Sequence, residues 1–152
     1  MRGLLSGLWH PSASPVDRAF FWCAFLVLVA AVFTDLKSRE IPDVLPLLLI
    51  AIALVAHVKN GGWLDGFLGV TLGFGVGCIL FALGGFGGGD VKLIAGLGAV
   101  FGWRAELGIL FYIAIFGGVL AVLARLRHER EYAYAPAIAL GLFAFLARGY
   151  WK

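Results

Sequence analysis

Charge is scarce in this chain. Of 152 residues only 14% are Asp, Glu, Lys or Arg, while 62% are hydrophobic; soluble domains carry about 25% charge and about 45–50% apolar residues. So few polar groups cannot cover a water-facing surface, which excludes an ordinary soluble enzyme, a disordered chain and a nucleic-acid-binding domain. Cysteine is nearly absent too. Cys23 and Cys78 both lie in apolar runs, with no CxxC spacing and no neighbouring His, so neither a disulfide framework nor a metal site is expected, and no cofactor is implied. The three histidines, His10, His57 and His128, carry no partner pattern; His57 reads as an interfacial residue. The net charge of +3 suits anionic lipid head groups better than a nucleic-acid groove.

What is present is apolar sequence in blocks of membrane-spanning length, about 20 residues each. Spans are expected over residues 16–34, 44–58, 63–83, 91–103, 107–124 and 132–146. About six spans use most of the chain, so the expected fold is an all-α polytopic transmembrane bundle forming one integral-membrane domain over residues 1–152. The apolar stretch Gly3–Trp9 is too short for a signal peptide and is broken by Ser6, so none is expected. Polar loops are expected over 35–43 and 59–62, a glycine-rich one over 84–90, and Arg104 and Glu106 mark the far end of the fourth span. In the third span Gly66, Gly69, Gly73 and Gly77 recur every three or four residues and share one face, the pattern that lets helix backbones approach in lipid. Lys and Arg counts in the loops are six against six, and only the cluster at 125–130 favours one side as cytoplasmic.

The unusual groups are acids beside spans. Asp35 ends the first span and Asp90 starts the fourth. Two crossings separate them, and two crossings return the chain to the side it left, so both acids face the same side. Two carboxyl groups a few ångströms apart share a proton. The charged one can take a proton from water while the protonated one hydrogen-bonds a carbonyl under attack, which needs neither a metal nor a nucleophilic side chain. Glycines before Asp90 let backbone bend and a peptide approach. Taken singly, each group also has a plainer reading. Asp90 and Asp43 fit helix N-caps, Asp35 an interfacial charge, and Lys37, Arg39 and Glu40 a solvated loop. Lys92 either pairs with Asp90 or extends to the head groups.

Gly87-Gly88-Gly89-Asp90 matches the GxGD motif of intramembrane aspartyl proteases, and Lys92 extends it to GxGDxK. Asp35, Arg39, Ile41 and Pro42 resemble the other aspartate motif of type IV prepilin peptidases, and residues 136–141 resemble the segment near the end of that family. The resemblance covers about residues 16–141. It implies an aspartic endopeptidase that removes the basic leader from prepilins or pseudopilins at the cytoplasmic face of the bacterial inner membrane, just before the apolar stretch of the substrate. By motif matching Asp35 and Asp90 are the catalytic pair, Gly87 and Gly89 shape the loop, and Arg39, Pro42, Asp43 and Lys92 support it. Asp43 stands where relatives often have Asn. Long members carry paired CxxC zinc ligands in a domain linked to N-methylation; with no CxxC here, the chain resembles the short, protease-only type of tight-adherence (Flp) pilus systems. The alternatives are a small proton- or ion-coupled transporter using Asp35 and Asp90, whose acids belong nearer the midplane, and an assembly protein that needs no acid pair.

Overall fold

A computed structural model of the chain describes residues 15–38, 40–60, 62–84, 86–126 and 134–150. Among them all regular structure is helical: α1 (Pro15–Ser38), α2 (Val44–Asn60), α3 (Trp63–Ala82), α4 (Gly88–Leu126) and α5 (Ala135–Tyr150). The all-α expectation holds. α3 and α4 are long and apolar enough to cross a membrane, and α2 and α5 contain shorter apolar runs, Val44–His57 and Ala135–Ala147. The stretch before Pro15 and most of the basic cluster at 125–130 lie outside the described residues.

The expected fourth and fifth spans are two helical arms of α4 that meet at a kink. No loop separates them at Arg104 and Glu106; α4 instead breaks at a single residue, Gly102, with φ 78° and ψ 165°. That backbone conformation is open to glycine and costly to other residues. The two arms of α4 double back on each other. Ile94 and Ala95 of the first arm and Glu106 of the second all meet α3 at Gly73. The two expected spans thus form a helical hairpin hinged on one glycine, with no loop of several residues between them.

The glycine face of α3 does what its spacing predicts. Gly66, Gly69, Gly73 and Gly77 are all buried. A Cβ on Gly69 would collide with the Gly98 carbonyl, and one on Gly98 with the carbonyl of Gly69, so the two backbones touch. Gly77 lies against Val91, so α3 and the first arm run antiparallel. The second arm repeats the arrangement against α5: Gly108 faces Phe145, Gly141 faces Ile113 and Gly117 faces Tyr134. In lipid, where no hydrophobic force draws helices together, such close approach supplies the dispersion contact that holds them. The central apolar cluster runs from Leu28 of α1 and Leu49 of α2 through Leu93, Ile94 and Leu97 of α4 to Ile138 and Leu142 of α5.

These pairings sort the loops into two ends. One end gathers the end of α1, the start of α2, the residues before α4 and the start of α5. The other gathers His57, Asp65 and Gly102: His57 Nε2 lies 2.9 Å from the Ala99 carbonyl, and the Asp65 carboxyl sits against Gly102.

Candidate active site

At the first end, α1 runs one turn further than expected. Asp35 lies on the helix, not in a loop after it. Ser38 Oγ donates to the Thr34 carbonyl at 2.8 Å and so occupies an acceptor of the last turn. The extra turn fixes the direction of the Asp35 side chain, which is buried. Its Oδ2 accepts the backbone N–H of Ala135, the first residue of α5, at 2.8 Å. This bond ties the last turn of α1 to the first residue of α5, the helix that contains residues 136–141.

Asp90 is not the N-cap of α4. The helix begins at Gly88, so Asp90 is its third residue and Gly87 holds the cap position. Asp90 Oδ2 reaches back to accept the Gly87 N–H at 2.9 Å, the side-chain half of a capping box. Its other oxygen, Oδ1, is buried without a partner among the described residues.

Asp35 and Asp90 line one cleft of about 250 Å³, together with Glu40, Ile41 and the three glycines at 87–89. The two carboxyl groups are near enough for the charge of one to bear on the other. The glycines divide the work. Gly87 provides the N–H that holds Asp90. Gly89 lies against Ile41, where a Cβ would come within 2.8 Å of the isoleucine Cβ, closing the side toward α2. Gly88 has open space beside it. The cleft is therefore firm behind Asp90 and open in front.

Of the other residues singled out in the sequence, Pro42 is exposed and its carbonyl accepts the Leu45 N–H at 3.0 Å at the entry to α2. Arg39 lies outside the described residues. Lys92 does not pair with Asp90; its Nζ bonds Asp43 Oδ1 at 2.7 Å. The pair staples the start of α2 to the first turn of α4, and Asp43 thus uses its side chain across helices while its carbonyl accepts the Leu47 N–H at 3.2 Å. Three features carry little or no signal in the sequence. The Ala135 donor is a backbone group, which any residue type supplies. Glu40, read as a solvated loop residue, lines the cleft. Glu106, expected at a span end, is fully buried beside Gly73, with neither carboxyl oxygen partnered among the described residues. Among the described residues no group of three or more His, Cys, Asp or Glu side chains is placed to hold a metal ion.

A helical bundle of apolar segments, with two buried acids from separate helices in one glycine-walled cleft, defines a membrane-type helical protein with a candidate acid–base centre. The model of the type IV leader peptidase family matches residues 22–122, and the chain belongs to that family. Prepilin leader peptidase/N-methyltransferases are similar to it. The Neisseria gonorrhoeae protein is 30% identical over 122 residues, covering 74% of this chain and 43% of that protein. The Bacillus subtilis (strain 168) protein is 32% identical over 137 residues, 84% of this chain and 54% of that one. For the Escherichia coli (strain K12) protein the figures are 32% over 144 residues, 86% and 63%. The chain thus spans about half the length of the curated relatives it matches. No solved structure matches it.

Proposed function

We propose that the chain is a membrane-embedded aspartic endopeptidase that removes the leader peptide from type IV prepilins or pseudopilins, with Asp35 and Asp90 as the catalytic pair and the cleft facing the cytoplasm. The observation that carries this reading is the convergence of two buried carboxyl groups from different helices on one cleft. The pair needs one proton between its members. The ionised carboxylate takes a proton from water, and the water oxygen bonds to the scissile carbonyl carbon. The protonated carboxyl hydrogen-bonds the carbonyl oxygen as negative charge grows there. Collapse of the tetrahedral species breaks the C–N bond, and the proton held by the former base passes to the leaving amine. The bonds from Ala135 and Gly87 leave each acid one oxygen for this exchange. Open space at Gly88 suits an extended peptide lying against the loop.

Membership of the leader peptidase family disfavours the transporter alternative, and so does the position of both acids at one end of the bundle rather than at mid-depth. Co-expression with a prepilin and a gel-mobility assay tests the proposal. The expected product is a shortened pilin whose N-terminal sequence begins just before its apolar segment. An unshifted prepilin across a panel of prepilins and pseudopilins, with the protein present in the membrane, would contradict it.

A further inference from the structure

A second concavity lies beside the acids, on the outer face of the bundle. It is a groove of about 400 Å³ between α1 and α5, lined only by apolar residues, among them Val29, Phe33 and Leu36 of α1 and Ala139, Leu140 and Phe143 of α5. Several of these are large side chains with half or more of their surface exposed: Phe33 and Phe143 at 65% and 64%. Exposed apolar side chains are ordinary where a helix faces lipid. The position of this groove is not ordinary. Its upper end is Leu36, the residue after Asp35, and its α5 wall begins one turn below Ala135, which bonds Asp35. From Leu36 down to Phe25 the groove follows α1 for about 16 Å, roughly half the hydrocarbon thickness of a bilayer.

Two sides of the cleft are packed among the described residues. Ile41 against Gly89 closes the side between α2 and α4. Phe86 and Tyr134, with ring centroids 4.3 Å apart, fill the space between the glycine loop and the start of α5. Between α1 and α5, among the described residues, the Ala135 N–H donates to Asp35 at the level of the acid, and the apolar groove begins directly below that bond. Resting on the peptidase reading above, we propose that this groove is the docking site for the apolar segment of the substrate on the membrane side of the scissile bond. The substrate then approaches sideways through the bilayer, lays that segment along α1 and α5, and feeds its polar leader over Asp35 into the cleft. Burial of apolar side chains against Phe33 and Phe143 sets the register of the peptide bond over the acids, and the groove's lining shows no polar group that would select among apolar sequences.

Site-specific photocrosslinking tests this. A benzophenone amino acid is placed at position 29 or 140 in the groove, or at Phe74 or Ile79, which are exposed on α3 away from it. The background is Asp90→Asn, and the probe is a labelled synthetic prepilin peptide with a basic leader and a 20-residue apolar segment, reconstituted in phospholipid vesicles. The expected result is a peptide adduct from positions 29 and 140 at least about tenfold stronger than from 74 and 79, mapping to the apolar segment. Equal adducts at all four positions, or adducts with lipid alone, overturn the docking site while leaving the peptidase reading intact, provided the wild-type protein cleaves the same peptide. Failure of the wild type to cleave it, or any prepilin, removes the peptidase reading and the docking site with it.

Discussion

Glycine is used in two opposite ways in this molecule. On α3 and the first arm of α4, Gly69 and Gly98 place backbone against backbone, and no room remains for even a methyl group. At the start of α4, Gly88 faces open space and Gly87 serves through its N–H. The first region converts the absence of side chains into contact, which stabilises the bundle in a solvent that offers no hydrophobic drive between helices. The second leaves free space beside the backbone at the mouth of the cleft that Asp35 and Asp90 line. The difference separates glycines packed against another backbone from glycines with free space beside them.

The largest effect is expected at Gly69. Gly69→Leu forces two backbones apart, at a cost of about 3 kcal/mol or more; the unfolding midpoint of the purified protein in mixed detergent should fall sharply, or the protein should fail to accumulate. Gly102→Ala comes next. A non-glycine residue at this positive φ costs about 1–3 kcal/mol, and its Cβ would also meet the Asp65 carboxyl. The same unfolding assay should report a smaller loss. Lys92→Ala removes an ion pair whose partners are half and two-thirds exposed, worth about 0–1 kcal/mol after solvent screening. It should lower stability slightly, and Asp43→Asn should do no more. Gly88→Ala should leave stability within about 0.5 kcal/mol, because its Cβ meets nothing. A Gly88→Ala protein as unstable as Gly69→Leu would dissolve the distinction between the two regions.

Much of this arrangement was legible in the residues. The period of Gly66, Gly69, Gly73 and Gly77 announced a packing face, and the number of crossings between Asp35 and Asp90 put them at one end, since both arguments need only spacing. The hinge at Gly102 was not legible, because one glycine among many gives no sign that its neighbours will turn there. Nor was the burial of Glu106: a charged residue beside Arg104 reads as a span end, and only the reversal at Gly102 carries it back against α3. The bond from Ala135 to Asp35 joins residues a hundred positions apart through a backbone group. No residue-type pattern encodes it. The pairing of Lys92 with Asp43 in place of Asp90 followed from the cap geometry, in which Asp90 turns toward Gly87 and away from the lysine.

Among the described residues three acids are buried: Asp35, Asp90 and Glu106. Only the first two line the cleft, so an activity assay can separate burial from chemistry. Leader removal should be measured for Asp35→Asn, Asp90→Asn and Glu106→Gln at matched protein levels in the membrane. Each substitution keeps size and hydrogen-bonding capacity but abolishes the ability to exchange a proton. Acid–base assistance is worth about 10²–10⁴ in rate, and more when the members of a pair depend on each other. Asp35→Asn and Asp90→Asn should therefore each lose detectable processing, while Glu106→Gln retains it. Near-normal processing by either aspartate variant would contradict the acid-pair mechanism.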